Sequence, residues 1–219
     1  MPLRFRIGAP RRLLVIAPHP DDEAIGAYAL MSRLRRRGVS VRVVVVTDGA
    51  ASHPNSPRWP RRRLVAERRR ESRRALCRIG VAAGAMTFLD LPDGRLHTRI
   101  VAARRGLARA LGHVGPALIA APAASDDHPD HRTVAACVAA LRRPKLRRLA
   151  YPVWPAGRQP AGARCLFLTA QERLAKRHAV RSYRTQAGRI MDDPAGFAMT
   201  RRHVAAFTRQ QEVFVEVRR

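Results

Sequence analysis

The sequence predicts an α/β fold, a mostly parallel sheet layered between helices that gives way to a more irregular C-terminal part. Three observations carry that reading. Short, wholly apolar runs such as Leu13-Leu14-Val15-Ile16-Ala17, Val43-Val44-Val45-Val46 and Ala117 to Ala121 suit strands buried on both faces, as a helix-covered parallel sheet requires. Segments of helical period alternate with those runs over short connections. With 219 residues, 46% of them apolar, the chain can build a substantial core in one domain. That domain is expected to span 1–219, with its regular part at about 12–150 and the remainder at about 151–219.

Taken in order, the first strand runs from Arg12 to Ala17 and ends in Pro18-His19-Pro20-Asp21-Asp22-Glu23. A helix follows from Asp22 to Arg36 with Ile25, Ala29, Leu30 and Leu34 toward the sheet, and Gly38 closes it as a C-cap glycine. Val39 to Thr47 reads as a central parallel strand that stops at Asp48-Gly49. Ala50 to Pro60, with three prolines and with His53 and Trp59, reads as an irregular loop over the site, whether or not it closes as a lid. Arg61 to Ile79 is a long basic helix with Leu64, Val65, Leu76 and Ile79 inward. On it Arg68 and Glu71 stand at the i, i+3 spacing of an ordinary intrahelical ion pair.

Met86 to Leu89 is a short strand, Pro92-Asp93-Gly94 a turn, Ile100 to Leu111 a helix and Ala117 to Ala121 the next strand. His131 to Leu141 is a helix with Val134, Cys137, Val138 and Leu141 inward. Beyond it the rhythm changes. Strands at Arg148 to Val153 and Cys165 to Leu168 are joined by the Pro- and Gly-rich Trp154 to Gly162, and Thr169 caps a helix reaching about Tyr183. Gly188 to Phe207 resists assignment except for a short helix starting at Pro194. Gln211 to Val217 alternates as a last strand, suited to a sheet edge.

Composition narrows the function classes. No apolar stretch approaches a membrane span, and Met1 to Arg12 lacks the apolar core of a signal peptide, so a cytoplasmic protein is expected. Cys77, Cys137 and Cys165 have no paired spacing and read as small core or semi-buried residues, not a disulfide frame or zinc knuckle. The 43 Lys and Arg against 16 Asp and Glu give a formal charge of +27, which attracts polyanions or an anionic membrane face. The arginines are spread over several helices without an RNA-binding motif, so they read first as solvated helix faces. Specific nucleic-acid binding is not expected, peripheral membrane contact stays open, and the oligomeric state is not legible.

The polar turns carry the chemistry. Pro-Asp-Asp-Glu alone is a good helix start, but that does not account for His19. A His and an Asp separated by two residues across a tight turn can grip one cation from both sides, which leaves Asp21 free for another task. Ser125-Asp126-Asp127-His128-Pro129-Asp130-His131 repeats the layout of strand, polar loop and helix. If the two apolar runs are neighbouring parallel strands, both loops open at the same sheet edge, where open α/β sheets place their ligands.

These motifs, with Thr47-Asp48-Gly49 and more weakly Arg68 with Glu71, Leu89 to Gly94 and Tyr183 to Gln186, resemble the LmbE-like or PIG-L family of zinc-dependent N-deacetylases over about Arg12 to Gln186. The resemblance implies a Rossmann-like, three-layer α/β/α sandwich. It also implies removal of an acyl group, most simply acetyl, from an amino sugar or from a lipid-linked, nucleotide-linked, antibiotic or thiol-precursor glycoside, some of them phosphate-bearing.

Chemistry and resemblance agree on the roles. His19, Asp22 and His131 leave a zinc ion one net positive charge and an open position, with Fe2+ fitting the same set. Asp21 is the general base, His128 an electrophilic or acid partner, and Asp130 a carboxylate that fixes an imidazole. Glu23 is expected at the helix terminus as support. By resemblance alone, Asp48, Arg68 and Asp93 contact substrate. A basic nucleic-acid binder with a vestigial pocket is the reading of another class, and two complete motif clusters argue against it.

Overall fold

The computed structural model describes residues 3–112, 117–141 and 146–217. Its strands are β1 (Leu3–Arg4), β2 (Arg12–Ala17), β3 (Ser40–Thr47), β4 (Met86–Leu91), β5 (Ala117–Pro122), β6 (Leu146–Tyr151), β7 (Arg164–Phe167) and β8 (Gln211–Val217). Its helices are α1 (Asp22–Arg36), α2 (Arg61–Cys77), α3 (Ile100–Leu111), α4 (Pro129–Ala139), α5 (Ala170–Ser182) and α6 (Arg201–Phe207). The eight strands form one sheet in the order β1-β7-β8-β6-β5-β2-β3-β4. From β6 through β4 every pairing is parallel, and β8 alone runs antiparallel to both its neighbours.

Strand periodicity builds the layers. Leu13, Val15, Ala17, Val43 and Val45 point to one face, where α1, α2 and α5 pack through residues such as Leu30, Leu34, Leu76 and Val180. Leu14, Ile16, Val44, Val46 and Ile119 point to the other, against Leu107 of α3 and Val134 and Cys137 of α4. Both faces are buried, which is why these strands read as unbroken apolar runs. The fold is therefore the α/β sandwich with a mostly parallel sheet that the sequence implies.

The order in which strands are added reverses beside β2, which takes β3 on one side and β5 on the other. That switch point opens a crevice at the carboxyl ends of β2 and β5. Helix α1, which leaves from it, is broken at Ala27 (φ −143°, ψ 20°).

Several expectations need correction. The short helix begins after its cap Thr200, not at Pro194, because the Thr200 hydroxyl and the His203 side chain form a reciprocal capping box. Strand β8 lies inside the sheet between β6 and β7; its alternating pattern reflects one buried and one partly exposed face. Arg68 and Glu71 do not pair with each other: Glu71 accepts the Thr185 backbone N–H at 3.0 Å, while Arg68 reaches the Pro20 and Gly49 carbonyls. Cys77 is exposed, and only Cys137 and Cys165 are buried. On the loop after β3, where the sequence decides neither for nor against a lid, Asn55 N–H and Ser56 O–H donate to Asp193 and Asp192 at 2.9 and 2.8 Å, and His53 is buried.

Candidate active site

The turn after β2 is held on three sides. The backbone N–H and hydroxyl of Thr47 both donate to Pro18 O at 2.9 Å, and Arg68 Nη2 donates to Pro20 O at 2.9 Å. Asp21 N–H donates to Glu23 Oε2 at 3.0 Å, and Tyr183 O–H donates to Glu23 Oε1 at 2.8 Å. Under these restraints Asp21 takes φ 146°, a region that L residues rarely enter. The twist turns two consecutive carboxylates apart. Asp22 Oδ2 faces the histidines, whereas Asp21 Oδ2 lies 3.5 Å from Arg68 Nη2.

The loop after β5 is organised by Asp126. Its carboxylate accepts the N–H groups of His128, Val153 and Trp154 at 2.9 to 3.0 Å and stands 3.2 Å from His131 Nδ1. His128 caps α4, with Pro129 in the first turn, and its Nδ1 accepts the Asp130 N–H at 3.2 Å. The remaining proton of a neutral His128 is thereby assigned to Nε2. Asp130 accepts from Gly94 N–H and Leu96 N–H at 2.8 and 3.1 Å, which fastens the loop after β4 to α4.

These loops bring together residues more than a hundred positions apart. His19 Nδ1, Asp22 Oδ2 and His131 Nε2 form a triangle with every edge 3.2 Å. Ligands about 2.0–2.1 Å from a tetrahedral ion stand about 3.3 Å from one another, so the triangle fits three donors of one such cation. Each imidazole turns its other nitrogen to a carboxylate, the arrangement that orients metal-binding histidines. His19 Nε2 lies 3.0 Å from Asp93 Oδ1 and 3.3 Å from Asp130 Oδ2, and His131 Nδ1 faces Asp126. The His128 ring is centred 4.6 Å from that of His19.

Electrostatics point the same way. Burial would depress both ligand-side histidines, but Asp130, Asp22 and Asp93 raise His19 well above its ordinary value, and Asp22 and Asp126 raise His131 to about 9. Burial would likewise raise Asp22, yet His131 and His19 hold its carboxyl well below the carboxylate range. The same negative field would favour a divalent cation in place of those protons. Asp21 is pushed up to about 8, mainly by burial and against the pull of Arg68. Burial, with His19 and His131 adding to it, lowers His128.

A cavity of about 220 Å³ opens over the cluster, with His19, Asp21, Asp22, Arg68, Asp93 and His128 on its polar side and Trp154, Phe197 and Met199 on its apolar side. Asp130 lies behind His19, and His131 is fully buried. Of the residues expected at the substrate, Arg68 and Asp93 reach this cavity. Asp48 is not among its lining residues and is held by Arg61 and the Ala50 N–H. Sequence reasoning passed over Asp126, which in a Ser-Asp-Asp turn reads as an ordinary loop former, and Trp154, hidden in a Pro- and Gly-rich connection.

Residues 14–141 match the family model described as PIG-L: GlcNAc-PI de-N-acetylase. The chain is 32% identical over 147 residues to 2'-N-acetylparomamine deacetylase of Streptomyces fradiae, covering 60% of this chain and 52% of that protein. It is 30% identical over 138 residues to diacetylchitobiose deacetylase of Thermococcus kodakarensis, covering 59% and 50%. The matches thus span about half the length of these relatives. Among solved structures, the N,N'-diacetylchitobiose deacetylase of Pyrococcus horikoshii shares the fold with a TM-score of 0.72 at 22% identity, over 97% of this chain and 87% of that one. The A40926 pseudoaglycone deacetylase Dbv21 aligns at a TM-score of 0.66 and 26% identity, over 84% and 86%.

Proposed function

Since the chain belongs to the PIG-L family, we propose that it is a metal-dependent hydrolase that removes an N-acetyl or other N-acyl group from an amino sugar or glycoconjugate. The observation that carries the proposal is the 3.2 Å triangle of His19, Asp22 and His131, with buried Asp21 beside it on the same cavity. Those three residues would hold a divalent cation, zinc in this reading and Fe2+ as the alternative. When bound there, such an ion polarises a carbonyl oxygen and acidifies a water.

Asp21 takes a proton from the water that adds to the amide carbon. The same carboxyl, which sits beside Arg68, then returns the proton to the amine nitrogen as the C–N bond breaks. His128 donates from Nε2 to the carbonyl oxygen as that atom gains charge. Because its Nδ1 already accepts a hydrogen bond, a neutral His128 suits that donor role better than giving its proton away. Asp130 positions two rings at once, His128 through its backbone N–H and His19 through its carboxylate. Arg68 and Asp93 face the sugar, and Asp48 acts only through the Ala50 turn that it holds.

The relatives named for acetylparomamine and diacetylchitobiose support an amino-sugar substrate. A cytoplasmic site of action belongs to the same proposal; among the described residues no helix is long and apolar enough to cross a membrane. The test is metal analysis of the purified protein together with acetate release from N-acetylated amino sugars, with and without phosphate. Metal-dependent release that is lost in Asp21→Asn is expected. Absence of any divalent metal, together with unchanged release by Asp21→Asn, overturns the reading.

A further inference from the structure

At Ala27 the backbone of α1 leaves the helical region, and an ion pair from two distant elements fills the break. Ala29 N–H donates to Glu212 Oε1 at 2.8 Å and Leu30 N–H to Glu212 Oε2 at 2.9 Å. Lys176 Nζ donates to Ile25 O at 2.7 Å and to Glu212 Oε1 at 2.9 Å. Both side chains are almost completely buried. In a continuous helix Ala29 N–H would pair with Ile25 O; here the amide faces a carboxylate and the carbonyl an ammonium. Gly26 makes the break fit. A Cβ there would stand 2.2 Å from the Tyr151 ring, whose hydroxyl donates to Ile16 O at 2.6 Å, on the strand that leads to His19.

We infer that the Lys176–Glu212 pair is a positioning device for the site: by occupying the break it sets the angle of residues 22–26 and so brings Asp22 Oδ2 to His19 and His131. The inference rests on Asp22 being a metal ligand, as proposed above. Stability alone is a poor reason for such a pair, because apolar side chains of similar volume usually replace a buried ion pair without loss. Apolar side chains cannot, however, satisfy Ile25 O, Ala29 N–H and Leu30 N–H, so the first turn of α1 would be free to realign.

The test compares the affinity for added Zn2+, the absorption spectrum of the Co2+-loaded protein and the melting temperature in Lys176→Met/Glu212→Leu, in wild type and in Leu107→Ala, a core change in α3 away from the site. The double variant is expected to bind Zn2+ at least about tenfold more weakly with an altered Co2+ spectrum, the size of effect that loss of an orienting group brings. Leu107→Ala should melt lower and keep both metal readouts. Should the double variant not fold, Glu212→Gln, which keeps the shape and one acceptor, carries the same test with a smaller loss. Unchanged affinity and spectrum in whichever variant folds overturn the inference, whatever the melting temperature does. Wild type that binds Zn2+ but releases no acetate overturns the proposed function and leaves this inference standing; wild type that binds none overturns both.

Discussion

At Asp21 a backbone angle of 146° costs on the order of 1–3 kcal/mol, and the Glu23 and Tyr183 hydrogen bonds hold it there. Two variants separate strain from chemistry. Asp21→Asn is expected to lower kcat by about 10²- to 10⁴-fold with metal content unchanged, and Asp21→Gly to be as inactive yet melt no lower, since glycine adopts the angle freely. Steady-state rates, metal analysis and thermal melts check this. His131→Ala should lose metal, whereas His128→Ala should keep it and turn over slowly; equal metal loss in both would refute that division. Asp126→Asn, which disturbs the carboxylate behind His131, should weaken metal binding by about 10- to 100-fold in a chelator competition. His19 and Asp22 were legible because a His-x-x-Asp turn after an apolar run serves few other ends, and His128 and His131 because their loop repeats that layout. Asp126 was not, because its importance lies in three N–H groups brought from elsewhere in the fold.

Between elements, a salt-bridged cap ties α5 to α1. Glu172 completes the capping box with Thr169 and also binds Arg33 and Arg36. Arg33 above all, with the cap, lowers its carboxyl to about 2 from an ordinary 4.5. A depressed folded-state value means that Glu172 adds stability above the unfolded value and loses it as pH falls from 4.5 toward 2. The gap in melting temperature between wild type and Glu172→Gln should therefore be open at neutral pH and close across that acid window. A gap that does not change with pH would contradict the account. Gly26→Ala, with the Tyr151 ring in its way, should destabilise by about 1–3 kcal/mol in denaturant unfolding. Parallel strands and their helices were readable from apolar runs and period. The inner place of β8 and the break in α1 were not, because Glu212 and Lys176 look like surface residues until each is seen beside the other.

Across the whole molecule, charge is sorted by depth. Asp21, Asp22, Glu23, Asp126 and Asp130 lie inside, while Glu67, Asp90, Asp127 and Glu216 nearer the surface each pair with arginine. Among the described residues, arginines such as Arg62, Arg74, Arg105, Arg177 and Arg181 are exposed, in a protein of formal charge +27. Binding to heparin or duplex DNA is expected to fall steeply with salt and to ignore sequence, as a titration at several ionic strengths would register; salt-insensitive binding would speak against this. The extreme charge was legible from composition, but its segregation was not, since that depends on which acids the fold draws inward. The antiparallel strand wedged between β6 and β7 has one more consequence, for the order in which the protein is made. A ribosome delivers residues 211–217 nearly two hundred positions after the His19 turn. Until that strand emerges, the joint in the first long helix lacks its carboxylate, so on the inference above a nascent chain carries His19, Asp22 and His131 well before it can hold them in register.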